Sequence, residues 1–304
     1  MKVYRKEKHH LDTAPFEKSL SQQSLIEYNV VIISDIHLGS QMCQARELDE
    51  FLSRIRVKYL ILAGDVFDDL KFNRLQHWHW QVLSRIRKIS DHCQVVWIRG
   101  NHDVVSAPTM SHLLGVEVKY HFTWSSNENR FYVVHGDRWD TFIYKHQRMT
   151  AILTSLYNAI QRFNTRAMFS ITRWLKKRAK LLTRNSDAVR IGAVEFAKKH
   201  GFDAIFCGHT HMAVLTECDG VIYGNDGTWQ SDDPHFIGID DDKIQLCKFV
   251  NSEVKIIATQ ELKGRKTTFY DNPESIVPMY WQLRTQSDGG RPITIQKRWC
   301  FPVL

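Results

Sequence analysis

Short apolar runs, each closing on a glycine or a polar cluster, punctuate the first half of the chain. Val30-Val31-Ile32-Ile33, Tyr59-Leu60-Ile61-Leu62 and Val95-Val96-Trp97-Ile98 are three of them. Unbroken apolarity over so short a span predicts strands buried on both faces. Between the runs the period changes. Leu48, Phe51, Leu52 and Ile55 fall on one face of a helix over 44–56, and Leu75, Trp78, Val82, Leu83 and Ile86 mark a second helix. Phe131-Tyr132-Val133-Val134 and Ala204-Ile205-Phe206-Cys207 predict a fourth and a fifth buried strand, and short β-rich segments continue to about residue 260, as in the sheet pair of a sandwich. Strand alternating with helix predicts an α/β fold, and open α/β sheets build their sites at the C-terminal strand ends.

This pattern divides the chain into a polar N-terminal arm over 1–27, a main domain over 28–260, and a C-terminal extension over 261–304 with no evident role. From about 140 to 185 a helical insertion interrupts the main domain. Ile152, Leu153, Leu156, Tyr157, Ile160 and Phe163 form one apolar face; Met168, Ile171, Leu175 and Leu182 form another, opposed by Lys176, Lys177, Arg178 and Lys180. A hydrophobic content of 43% is ordinary for a globular core and argues against long disorder. The net charge of +8 favours an acidic partner: nucleic acid, anionic lipid or a phosphorylated substrate. The six cysteines form no CxxC pair and are expected to be reduced thiols. The basic N-terminus lacks the apolar segment of a secretory signal, and no stretch is apolar for long enough to span a bilayer, so a soluble or peripheral protein is expected.

Candidate chemistry sits at the strand ends. Asp35-x-His37, Gly64-Asp65, Gly100-Asn101-His102-Asp103, His135-Gly136-Asp137 and Gly208-His209-x-His211 each follow a predicted strand. They offer carboxylate, imidazole and amide oxygen but no thiolate, a donor set suited to Mn²⁺, Fe or Zn²⁺ and unlike a structural zinc site. Asp35 and His37, and likewise His209 and His211, are expected to project the same way from extended backbone. The glycines before Asp65, Asn101 and His209 are expected to let the chain turn sharply beneath the site. A lone histidine is usually a core residue, but five of the fifteen histidines fall in these motifs. His77 and His79 stand two apart on a helix and so cannot share a face, which makes packing their better reading. Capping explains Asp103 and Asp137 as readily as a role in the site.

Taken together, the five motifs resemble the calcineurin-like metallophosphoesterases over residues 30 to about 230. That resemblance implies a four-layer α/β/β/α sandwich with a helical cap and a pair of divalent ions. Asp35, His37, Asp65 and His211 would hold one ion and Asp65, Asn101, His135 and His209 the other, with Asp65 shared. It further implies that His102 acts on the phosphate and that Asp68 orients His102, Asp103 being a further support.

A closer resemblance rests on Ser34-Asp35-Ile36-His37-Leu38-Gly39, on His135-Gly136-Asp137-Arg138-Trp139-Asp140 leading into the insertion, and on Asp219 through Trp229. The layout is similar to the UDP-2,3-diacylglucosamine diphosphatases of lipid A biosynthesis. It implies a glycolipid pyrophosphate substrate, UMP as a product, and a cytoplasmic, bacterial enzyme peripheral to the inner face of the inner membrane. Arg166, Arg173, Lys176, Lys177 and Arg184 are the candidates for phosphate or anionic-membrane contact, with a solvated helix face as the alternative for each. His102 departs from the arginine that those enzymes carry after the Gly-Asn pair. A soluble phosphomonoesterase, phosphodiesterase or nuclease with the same metal pair is the alternative, and nucleic acid the less favoured partner. Oligomeric state is not legible.

Overall fold

In the computed structural model, residues 24–69, 72–103, 111–112, 114–140 and 180–262 are described, with side chains from residue 186 onward in the last segment. The chain enters through β1 (Ile26–Glu27) and β2 (Val30–Ile33), then α1 (Ala45–Arg54), β3 (Ile55–Arg56), β4 (Tyr59–Leu62), α2 (His77–Ile89) and β5 (Gln94–Ile98). β6 (Glu117–Lys119), β7 (Phe122–Ser126) and β8 (Asn129–Val133) follow, then α3 (Lys180–His200) and β9 (Ala204–Cys207). The chain closes with β10 (Val214–Cys218), β11 (Val221–Asn225), β12 (His235–Ile239), β13 (Lys243–Val250) and β14 (Glu253–Glu261).

Two sheets result. The larger has the order β14-β13-β12-β2-β4-β5-β6 and the smaller β10-β11-β9-β8-β7. β2, β4, β5 and β6 run parallel, as do β8, β9 and β11. Strand alternation sends Val30, Ile32, Ile61, Val96 and Ile98 inward to meet Phe131, Val133 and Phe206 of the smaller sheet. The opposite side chains of the same strands (Val31, Ile33, Leu60, Leu62 and Trp97) are covered by Leu48, Phe51 and Leu52 of α1 and by Val82, Leu83 and Ile86 of α2. On the far side of the smaller sheet α3 packs over β9 and β11, with Phe196 against Tyr132. The layers are therefore α/β/β/α, and every parallel strand between the sheets ends at the same edge.

Several expectations change. Residues 24–27 belong to the fold: Ile26 and Glu27 pair with Ile55 and Arg56, and the buried Arg54 guanidinium donates to the carbonyls of Ser24 (3.1 and 3.0 Å) and Ser252 (2.6 Å). Trp78 is 40% exposed and not on the buried face of α2; His79 takes that place, its Nδ1 accepting from the Gln76 backbone at 3.0 Å. That bond is one half of a capping box with Gln76 at the helix start. Residues 180–185, assigned to the insertion, are the first turns of α3, and the rest of the insertion lies outside the described residues. No helix among the described residues is long and apolar enough to cross a membrane.

Candidate metal centre

The strands deliver the predicted residues to one edge, but the backbone that presents them is not extended. Asp35 and His37 (both φ 51°), Asp65 (φ 52°), His209 (φ 66°) and His211 (φ 57°) all lie in the left-handed region. Asp and His enter this region more readily than most residues, but it is uncommon for any side chain other than glycine, and such residues gather at functional sites. Backbone bonds between neighbouring strand ends hold it. Asp35 N donates to Gly64 O (3.0 Å), His37 N to Asp65 O (2.9 Å) and Gly208 N to His135 O (3.0 Å). The turn beneath Asp65 needs glycine on two grounds. Gly64 has φ +99°, and a Cβ there would overlap the His135 imidazole. At Gly100 the need is space alone, because a Cβ would meet Asp65. Gly64→Ala is expected to lower stability by about 3 kcal/mol or more, a strained φ added to overpacking, and to abolish metal binding. Chemical denaturation against the wild type measures the first; an unchanged midpoint would contradict it.

Among the described residues three overlapping groups emerge: Asp35 with His37 and His211, His37 with Asp65 and His102, and Asp65 with His135 and His209, the nitrogens and oxygens of each lying within 4.8 Å of one another. In the first, Asp35 Oδ1 stands 3.0 Å from His211 Nε2 and 3.7 Å from His37 Nε2. At the other end, Asp65 Oδ2 is 3.3 Å from His135 Nε2, and the Asn101 amide oxygen lies 3.2 Å from His135 Nε2 and 3.0 Å from His209 Nδ1. The same Asp65 Oδ2 is 3.8 Å from His37 Nε2, so one oxygen faces both ends. All seven predicted ligands are thus brought together.

The donor set fits metal ions on a further count. Asp35 Oδ1 and both nitrogens of His37 are buried without a hydrogen bond, a costly state for groups left unmatched. Remaining atoms are fixed by protein partners. Asp35 Oδ2 accepts from Ser34 Oγ (2.6 Å) and His209 N (2.8 Å), while Asp65 Oδ1 accepts from His102 N (2.8 Å). His135 Nδ1 donates to Ala63 O at 2.9 Å, and His209 Nε2 is 2.8 Å from Asp140 Oδ2. Each pairing commits one imidazole nitrogen and turns the other toward the site.

In the metal-free chain, protons take the place of cations. Burial alone would pull His37 down; the nearby carboxylates of Asp35, Asp68 and Asp65 outweigh it and raise His37 to about 10. Burial opposes His135 likewise, and the charge and hydrogen bond of Asp65 raise it well above the usual imidazole range. Burial would lift the carboxyl of Asp65, but His135 and His37 hold it below its usual range. A metal ion takes neutral imidazole and must displace these protons. Its binding is expected to release protons and to tighten as pH rises between the ordinary imidazole value of 6.5 and about 10. Calorimetry in two buffers of different ionisation enthalpy measures the release; binding that is flat with pH would contradict it.

Some predicted roles move. The Asp68 carbonyl, not its carboxylate, holds His102, accepting from Nδ1 at 2.7 Å. The carboxylate turns instead to His37 Nδ1 (3.5 Å) and Arg74 Nη1 (2.8 Å). Fully buried Asp103 accepts from the backbone of Val66, Phe67 and Gly100 and from the Trp97 indole, all at 3.2–3.3 Å, and so ties two strand ends together. Asp137 opens a single 3₁₀ turn, Asp137–Trp139. Asp140 and the Ser34–Asp226 pair are additions that sequence reasoning missed, although both aspartates stand in the motifs quoted above. Ser34 Oγ lies 3.0 Å from Asp226 Oδ1 as well as 2.6 Å from Asp35 Oδ2. One hydroxyl proton cannot serve two carboxylates, and burial followed by the Asp35 charge raises the Asp226 carboxyl well above its usual range. Arg166, Arg173, Lys176, Lys177 and the side chain of Arg184 lie outside the described residues.

A sandwich with two His/Asp groups joined through one carboxylate at its strand ends has the architecture of a metal-dependent phosphoester hydrolase. Residues 28–213 match the family model for calcineurin-like phosphoesterase, and the chain belongs to that family. Family members use a dinuclear divalent metal site. Structural similarity extends to Yfce, a phosphoesterase from E. coli, with 15% identity and TM-score 0.44 over 77% of this chain and 99% of that one. It extends also to a Vps29 single mutant from Entamoeba histolytica, with 15% identity and TM-score 0.40 over 77% and 99%. Phosphopantetheinyl hydrolase from Mycobacterium tuberculosis is a third, with 16% identity and TM-score 0.39 over 67% and 90%. No curated protein matches the chain.

Proposed function

We propose that the chain hydrolyses a pyrophosphate or phosphodiester with two divalent ions, Mn²⁺ foremost and Fe or Zn²⁺ as alternatives. Asp35, His37, Asp65 and His211 hold one ion, and Asp65, Asn101, His135 and His209 hold the other. The observation that carries this reading is the single Asp65 oxygen facing both groups. When bound, the ion pair supplies an activated water near neutral pH and neutralises charge on the phosphoryl oxygens. His102 stands exposed at the rim with Nδ1 tied to the Asp68 carbonyl. Nε2 is then the nitrogen left to stabilise phosphoryl charge or protonate the leaving oxygen. Ser34, Ala63 and Asp140 hold Asp35, His135 and His209 in register, so that few groups reorganise during reaction.

The substrate we propose is a nucleotide-sugar lipid of the UDP-2,3-diacylglucosamine kind, cleaved to UMP and 2,3-diacylglucosamine 1-phosphate by an enzyme peripheral to the inner face of a bacterial inner membrane. The layout from His135 to Asp140 and the apolar, basic insertion that follows support this choice. His102 in the place of an arginine favours a second reading, a soluble phosphodiester. Hydrolysis of UDP-2,3-diacylglucosamine with Mn²⁺ and detergent, beside bis-p-nitrophenyl phosphate, separates the two. Fast UMP release is the expected result. Diester turnover without UMP would discard the lipid substrate and keep the metal chemistry.

A further inference from the structure

We propose that Arg74 is a positioning residue for one half of the metal centre, acting through Asp68 on His37; the inference rests on the dinuclear reading above. Arg74 closes a 3₁₀ turn, Phe72–Arg74, just before α2. One of its nitrogens, Nη1, lies 2.8 Å from Asp68 Oδ2 and 2.7 Å from Asp69 Oδ2. The other Asp68 oxygen lies 3.5 Å from His37 Nδ1. Arg74 thereby fixes one Asp68 oxygen while the other faces His37 Nδ1 as its ion-pair partner, and His37 Nε2 faces Asp35 and Asp65.

Without the guanidinium, the carboxylates of Asp68 and Asp69 lose the cation they share. Asp68 then gains rotamer freedom, and His37 loses the partner that sets its ring. The effect is one-sided. Asn101, His135 and His209 take their support from Ala63, Asp140 and one another, and none of them touches Arg74 or Asp68 in the contacts that define their end of the site. The turn also has support that the guanidinium does not supply. Phe72 packs against Phe67 (ring centroids 5.9 Å apart), and Leu75 N donates to Phe72 O at 3.0 Å. Arg74→Ala should therefore fold. Because a single nitrogen makes both contacts, a lysine ammonium can replace it.

The test is calorimetric titration of Mn²⁺ into the metal-stripped full chain: wild type, Arg74→Ala, Arg74→Lys, Asp68→Ala and the double Arg74→Ala/Asp68→Ala. In Arg74→Ala, one of two binding events is expected to weaken about 10–100-fold, the usual effect of removing a group that orients a ligand. The other event should stay within about 2-fold of wild type. Arg74→Lys should recover most of the loss, and the double variant should bind no more weakly than Asp68→Ala alone. Two undisturbed events in Arg74→Ala, an equal loss in both, or losses that add in the double variant would each overturn the inference. A wild type that binds no pair of ions would instead remove the dinuclear reading beneath it.

Discussion

Asp65→Ala is expected to lose both metal ions and turnover together. One carboxylate oxygen faces His37 at one end and His135 at the other, and its partner oxygen accepts from the backbone N–H of His102. Alanine removes the shared ligand, leaves two imidazoles without their counter-charge, and frees the loop that carries His102. An ion contributes several kcal/mol of transition-state charge stabilisation, so the fall in kcat is expected to be about 10³-fold or more. Titration calorimetry and turnover on the same preparation check the result. A variant that keeps two bound ions would deny Asp65 the bridging role.

His102→Ala is expected to separate what Asp65→Ala joins. Its imidazole is tied to the Asp68 carbonyl and lies edge-on to His37, with ring centroids 4.9 Å apart. Losing it removes a group that acts on the phosphate while both sets of four ligands persist. A fall of about 10²–10⁴-fold in kcat is expected, the range of a general acid or of charge stabilisation by one side chain. Mn²⁺ affinity should remain within about 3-fold, since nothing lost in this variant belongs to the ligand set assigned above. An active His102→Ala, or one that no longer binds Mn²⁺, would place His102 elsewhere in the mechanism.

The reach of sequence reading differed by scale. Apolar runs of four that stop at Ser-Asp, Gly-Asp and Gly-Asn announced both the strands and the edge where the ligands gather, because burial on two faces leaves no polar position inside the strand. How those ligands are aimed was not legible. The alternation Asp35-x-His37 suggested extended backbone, yet both residues sit at φ 51°. Bonds to Gly64 and Asp65, just beyond the next strand, and to Thr228 and Trp229 hold that backbone, and all of them are tertiary. The same holds for the supporting residues. Asp140 meets His209 across 69 residues and Asp226 meets Ser34 across 192, distances at which spacing carries no signal. Arg74 lies six residues from Asp68, close enough to have been weighed, but an Asp-Asp…Arg pattern on a surface turn is commonplace. β6 escaped notice because Glu117-Val118-Lys119 is a short, polar edge. The body of α3 beyond residue 185 escaped because small residues, Val189, Ala193 and Ala197, carry much of its buried face.

The most direct test of the dinuclear site is metal content with electron paramagnetic resonance on the Mn²⁺-loaded wild type. Two Mn²⁺ per chain, with the exchange-coupled spectrum of ions about 3.5–4 Å apart, is the predicted result. One ion per chain, or two with the six-line spectra of isolated centres, would contradict a site built around a shared Asp65 oxygen.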